Sequence, residues 1–261
     1  MQTPGSRSPR ARRLSAALIV CHATLALLAC TAPASQAPQA TQTLSAGSIA
    51  GILASPERSA ADRTNDARRK PAQLLEFIGI RPGTVALDLS AGGGYTTELI
   101  ARSTGPTGRV YAQGARPSSA TLTARAANPR TANIVPVVQP FESPVPPEVA
   151  AGGLDLVTLM FNYHDLGGVD RDRMNRAVFG ALKPGGLYVV ADHSGRAGTG
   201  ISESTTLHRI EEAFLRAEVE RAGFRLLASG DFLRNPNDPR DRNTPEPAQP
   251  KDEFVLKFVK P

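Results

Sequence analysis

The sequence predicts an α/β fold built on a mostly parallel sheet, and two observations carry this. From Val85 onward, short apolar runs alternate with segments of helical period, the signature of strands joined by covering helices. Within that alternation, Val85 to Gly94 (Val-Ala-Leu-Asp-Leu-Ser-Ala-Gly-Gly-Gly) is a buried strand running into a glycine turn, with Tyr95 to Arg102 following as a helix. Glycines reach backbone angles closed to other residues, and a helix start offers unpaired N–H donors, so the segment predicts a nucleotide-type site. At 261 residues the chain suffices for one such domain with a tail.

Residues 1–29 differ in kind. Arg7, Arg10, Arg12 and Arg13 precede the apolar run Leu14 to Ala29, which is short and rich in small residues, as in an export signal. Its end, Leu27-Leu28-Ala29-Cys30, resembles the lipobox of bacterial lipoproteins, which implies cleavage before Cys30 and a lipid anchor on that sulfur. The expected location is therefore the bacterial cell envelope, facing the periplasm. Loss of the leader removes four arginines and no acid, so the formal net charge falls from +6 to +2, which makes no case for nucleic-acid binding. Cys21 and Cys30 are the only cysteines, so a processed chain holds no free thiol, disulfide or zinc–thiolate site in its folded part.

Residues 30–54 are rich in Ala, Gln, Thr, Pro and Ser and are expected to form a flexible tether, leaving 55–261 as a single domain. Ser55-Pro56-Glu57 has the form of a helix start, and Leu74, Leu75, Phe77 and Ile78 supply an apolar face before Arg81-Pro82-Gly83 breaks the pattern. Strands are expected at Val85 to Leu89, Val110 to Gln113, Ile134 to Val138, Leu154 to Phe161, Leu187 to Asp192, Phe224 to Ser229 and Phe254 to Val259. Helices fill the gaps near Tyr95 to Arg102, Ser118 to Ala127, Arg171 to Leu182 and Glu203 to Ala222. In the last of these, Leu207, Ile210, Phe214, Leu215 and Val219 keep a helical period up to Gly223. The final two strands, across the Pro- and Asn-rich stretch Gly230 to Lys251, suit an antiparallel hairpin.

The spacing Asp88, Gly92, Gly94 is DxxxGxG, and it resembles motif I of the class I S-adenosylmethionine-dependent methyltransferases; the GxGxxG fingerprint would want glycine where Thr97 stands. Gly153-Leu154-Asp155-Leu156-Val157 resembles that family's fourth-strand pattern, and Leu182-Lys183-Pro184-Gly185-Gly186-Leu187 its turn before the fifth strand. More narrowly, the glycine triplet, Tyr163-His164-Asp165, Asp192-His193-Ser194 and Leu207-His208-Arg209-Ile210 are similar to a little-characterised group of exported predicted methyltransferases. The resemblance implies a Rossmann-like seven-stranded, mostly parallel sheet with helices on both faces and an antiparallel last strand. It also implies S-adenosyl-L-methionine as cofactor, with Asp88, Ser90, Gly92, Gly93 and Gly94 at its methionine end. Where the family usually places an acid for the ribose hydroxyls stands Gln113, whose amide can accept one hydrogen bond and donate another. Phe141-Glu142 falls where the family meets the adenine.

Three of the four histidines lie beyond the leader, at His164, His193 and His208. His164-Asp165 and Asp192-His193 each follow a strand, so they are expected at one edge of the sheet. An imidazole beside a carboxylate can take a proton from an acceptor, which makes His164, Asp165 and His193 the candidate catalytic residues; two loops braced by His and Asp is the other reading. His208 is expected within a helix, paired along its surface with Glu211 and Glu212. No HxH or HExxH spacing marks a metal site. The expected activity is methyl transfer to a small or envelope-associated acceptor; the alternative is an exported lipoprotein that keeps the fold as a non-catalytic binding module.

Overall fold

A computed structural model describes residue 2 and residues 42–261. The leader, Cys30 and most of the expected tether lie outside the described residues. Among the described residues no helix is long and apolar enough to cross a membrane.

Seven strands form one sheet: β1 (Val85–Leu89), β2 (Arg109–Gly114), β3 (Ile134–Val138), β4 (Leu154–Met160), β5 (Leu182–His193), β6 (Arg225–Gly230) and β7 (Glu253–Val259). Their order is β3-β2-β1-β4-β5-β7-β6. The first five are parallel, whereas β7 runs antiparallel to both β5 and β6. The helices are α1 (Ala46–Ala54), α2 (Ala60–Arg69), α3 (Pro71–Ile78), α4 (Tyr95–Thr104), α5 (Ala120–Ala127), α6 (Arg171–Ala181), α7 (Ser204–Leu207) and α8 (Glu212–Arg221).

Strand alternation sorts side chains onto two cores. Leu87, Leu89, Val157, Leu159, Tyr188 and Val190 join Met174 and Val178 of α6 with Leu215 and Val219 of α8. On the opposite face Ala86, Val110, Ala112, Leu156 and Val189 meet Ile49 of α1, Leu74 and Leu75 of α3, and Leu99 and Ile100 of α4. Asp88 shares a face with Ala86, which sets its carboxylate beneath α4 and not in the aromatic core.

Three expectations are corrected. The segment 46–54, expected as tether, is helix α1: Ser45 caps it through Ser48 N–H, and Ile49 is buried against α3 and α4. Four apolar residues among Leu44, Ile49, Ile52 and Leu53 suffice once a groove exists to receive them, which composition does not reveal. Second, the helix start is Ser59, whose Oγ accepts from Asp62 N–H, while Ser55 closes α1. Third, the stretch expected as one helix from Glu203 to Ala222 is broken. His208 takes a left-handed conformation (φ 51°, ψ 53°), and Ile210 makes a bridge to Ser194 beyond β5. Ile210 N–H donates to His193 C=O, and Gly195 N–H donates to Ile210 C=O. The buried Arg209 holds the break, donating to Ser194 C=O and Arg242 C=O and pairing with Asp238 at 2.9 Å. The helical period beyond the break survives because α8 buries Leu215 and Val219, with Ile210 buried ahead of it.

Candidate active site

The parallel strands β1, β2, β4 and β5 all end at one edge, where ligands of open α/β sheets bind. The glycine turn sits at its centre. Ala91 N–H donates to Gln113 C=O, Ser90 N–H donates to Gln113 Oε1, and Gly94 N–H returns to Ala91 C=O. Gly92 (φ 55°) and Gly94 (φ 80°) occupy the left-handed region. A side chain at Gly94 would collide with Leu122 of α5 at 2.9 Å, so that glycine serves packing. Around Gly92 and Gly93 the space is open. Among the described residues their N–H groups donate to nothing, and α4 begins without a side-chain cap. The turn thus presents free donors at a helix start, the arrangement anionic and polar ligands use.

Asp88 is buried, and its two oxygens accept from Thr97 Oγ1 (2.6 Å) and Thr158 Oγ1 (2.7 Å). Burial pushes its pKa up to about 6 against the opposing pull of those hydrogen bonds. Above it lies Arg69, the last residue of α2, stacked 4.0 Å from the Phe161 ring. Burial first, and then the neighbouring Arg68, lower its pKa to about 10, so it stays charged at neutral pH. Among the described residues Arg69 has no carboxylate partner and donates no hydrogen bond.

Two crevices flank the turn and share Ser90, Gly92 and Asn162. One, about 380 Å³, is lined by Asp88, Arg69, Gly93 and Tyr95 and roofed by α2. The other, about 410 Å³, is lined by Gln113, Phe141 and Asp165. The roof is fastened by charge. Arg58 forks onto Asp66 at 2.6 and 2.7 Å, and Tyr95 donates its hydroxyl to Asp66. Arg125 joins Asp62 and Glu98 while donating to Gly93 C=O. A larger groove of about 740 Å³ lies by Arg109 at the strand starts, away from this edge.

Gln113 is fully buried, with Oε1 on Ser90 N–H and Nε2 on Gln139 C=O at 2.7 Å. Both ends of its amide thus brace the chain, and with one N–H and one lone pair to spare Gln113 also lines the second crevice. Tyr163 also turns away from the crevices: its hydroxyl donates to Glu218 and accepts from Asn175 in the core.

The histidines gather beside the second crevice. Asp192, fully buried, accepts from His164 Nδ1 at 2.6 Å and from the His164 and His193 backbone N–H groups. His164 Nε2 then faces Asp165 Oδ1 at 3.2 Å, and His208 Nδ1 approaches the same oxygen at 3.4 Å. Burial alone would lower the His164 pKa, but the Asp192 hydrogen bond and the charges of Asp192 and Asp165 outweigh it and raise it. The His193 ring stands 5.4 Å from that of His164, behind it, and contacts Phe161. Its Nδ1 is 2.9 Å from Glu253 Oε1 at angles outside hydrogen-bond geometry. Burial prevails there and lowers its pKa. Thus His164 and Asp165 come together, His193 adjoins them without lining either crevice, and His208 enters the group from a segment expected to be helical.

Arg69 is the residue that sequence reasoning missed, and His208 the one that it placed on a helix surface. The run Arg68-Arg69-Lys70 before Pro71 looks like a solvated helix end, and nothing local marks one arginine as turned inward. Strain does mark the edge: Ser90, Phe161 and His208 are non-glycine residues at positive φ (54°, 61° and 51°).

No family model matches the chain. The chain is 31% identical over 122 residues to the ubiquinone/menaquinone biosynthesis C-methyltransferase UbiE of Hydrogenovibrio crunogenus, a stretch that spans 46% of either protein and so less than half of that relative. Among solved structures, a SAM-dependent methyltransferase from Aquifex aeolicus superposes with a TM-score of 0.58 at 15% identity, covering 84% of this chain and all of the other. The [4+2]-cyclase SpnF superposes at 0.56 with 17% identity, over 80% and 85% of the two chains. A protein from Bordetella parapertussis described as a possible exported protein gives 0.51 at 18% identity, over 84% and 80%. These likenesses concern the fold, which in the cyclase carries a different reaction.

Proposed function

We propose that this chain is a class I S-adenosylmethionine-dependent methyltransferase, one that transfers a methyl group from S-adenosylmethionine to a small or envelope-associated acceptor. One observation carries the proposal: the free N–H groups of Gly92 and Gly93 lie between two crevices, with a buried carboxylate and an unpartnered guanidinium on one side. The residues fit the donor. Asp88 suits its cationic amino-acid end, Arg69 its carboxylate, the turn its backbone-facing middle, and Phe141 the face of its base. When bound, the donor supplies a methyl group on a positively charged sulfur.

The protein's task is then to align an acceptor and to keep water out. The α2 roof covers the crevice that holds Asp88. At the other crevice Asp165 is the member of the imidazole–carboxylate group that reaches the lining, and Asp192 holds His164 behind it. An acceptor's proton leaves toward this group, in which Asp192 holds the His164 ring in place before anything binds. An envelope address is part of the same proposal and rests on the leader and the lipobox-like Cys30; no nucleic-acid partner is included.

A second reading, a binding module without turnover, is favoured by Gln113, because an amide locked between two backbone groups replaces the expected acid. Calorimetric titration of the full chain with S-adenosylmethionine and its demethylated product tests both. Binding is expected, and Gly93→Val should abolish it: that residue is not in the left-handed region, and its Cβ would meet nothing closer than Thr121 at 3.9 Å, so the added bulk faces the ligand without straining the fold. No binding, or binding indifferent to Gly93→Val, refutes the site; binding with no methyl loss over a panel of envelope extracts supports the module.

A further inference from the structure

We infer that His164, Asp165 and His208 form a binding site for a single borderline divalent metal ion such as zinc. The ligand atoms, His164 Nε2, an Asp165 oxygen and His208 Nδ1, all lie within 4.8 Å of one another. Two of the separations are 3.2 and 3.4 Å. Ligands bound about 2.1 Å from one tetrahedral ion stand about 3.4 Å apart, so the group needs little adjustment to close on a metal.

Three further features separate it from an ordinary surface cluster. His164 uses its other ring nitrogen on the buried Asp192 at 2.6 Å, the carboxylate–histidine arrangement that fixes the tautomer of a metal ligand and leaves Nε2 with its lone pair outward. His208 reaches the group only because the chain takes a left-handed turn there, and the fully buried Arg209 beside it is anchored to Ser194, Asp238 and Arg242. Strain at His208 and a buried arginine next to it are costly means of placing a side chain that solvates well by itself. Asp165 and His208 are about half exposed, and Asp165 lines the second crevice, so an ion held by three protein ligands keeps an open position toward that space.

The donor set selects the metal. Two imidazoles and one carboxylate, with no thiolate, suit zinc, cobalt(II), nickel(II) or iron(II), whereas magnesium and calcium prefer oxygen throughout. Binding of the ion does not depend on methyl transfer. Its use, holding an acceptor oxygen or nitrogen at the open position, rests on the function proposed above.

The test is a zinc titration of the chelator-stripped full chain by calorimetry, without S-adenosylmethionine, paralleled by cobalt(II) absorption in the visible. The leader offers Cys21 and His22, and Cys30 follows it, as ligands outside the site, so the deciding readout is the difference between the wild type and His208→Ala or Asp165→Asn. Both side chains are about half exposed, which spares the fold. One binding event whose affinity falls at least about tenfold in each variant, with a tetrahedral cobalt spectrum lost in both, is the expected result. Zinc binding that neither variant alters, or none beyond the leader, overturns the inference. Because donor binding is titrated separately on metal-free protein, failure of either proposal leaves the other standing.

Discussion

Asp88→Asn separates stability from ligand binding at a single atom pair. The native carboxylate is 2% exposed and its pKa is raised to about 6 from 3.8, with burial as the largest cause. A raised folded-state pKa means that between those values the native state binds more protons than the unfolded chain, so this group's contribution to stability declines as pH rises through that window. With those two values the contribution at pH 7.5 is less favourable than at pH 4.5 by about 2 kcal/mol, and the full span approaches about 3 kcal/mol. Asparagine keeps the shape, accepts from one of Thr97 and Thr158 and donates to the other, and has no charge to bury. The stability difference, variant minus wild type, should therefore move in favour of the variant by about 2 kcal/mol between pH 4.5 and pH 7.5 in urea unfolding followed by circular dichroism. Groups elsewhere cancel in the difference. Binding should run the other way: the cationic end of the donor needs the ionised form, so wild-type affinity should fall about tenfold per pH unit below 6, while Asp88→Asn binds weakly and without that slope. A stability difference independent of pH would show that Asp88 is not the desolvated carboxylate described here, and the account of the site would fail with it.

Three other outcomes are expected. Arg69→Gln should weaken donor binding roughly 10- to 100-fold by calorimetry with little change in unfolding midpoint, because its guanidinium lies on Phe161 with no hydrogen-bond partner among the described residues to lose; unchanged affinity would remove it from the site. Ile49→Ala should cost about 2–4 kcal/mol in denaturant unfolding if α1 is part of the core, whereas a tether would lose nothing measurable. Cys30→Ala should free the protein from membranes in fractionation while its unfolding midpoint stays the same, and retention after a high-salt wash would refute the lipid anchor.

Much of this protein is written in local pattern. The strand Val85–Leu89 alternates so that Leu87 and Leu89 must face one core and Ala86 and Asp88 the other, and the glycines after it can occupy positive φ at once. Spacing placed all seven strands, six of them to within a few residues and β5 with a start five residues late, since a buried strand needs a run of apolar side chains and a turn needs residues that tolerate it. His164-Asp165 and Asp192-His193 could be assigned to one edge because parallel strands all end on the same side. The tertiary structure decided the rest. Helix α1 docks because α3 and α4 offer Ile49 a groove, and the helical spacing of Ile49, Ile52 and Leu53 cannot show that such a groove exists. The helical period from Leu207 to Val219 is real, yet Arg209 takes three acceptors across the fold, and the break it enforces swings His208 toward Asp165. Gln113 became a brace because Gln139 and Ser90, distant in sequence, bring a carbonyl and an N–H to its two ends. Periodicity records which face of a segment is buried; it carries no information about which distant backbone groups need a partner, and those partners set the chemistry of this site.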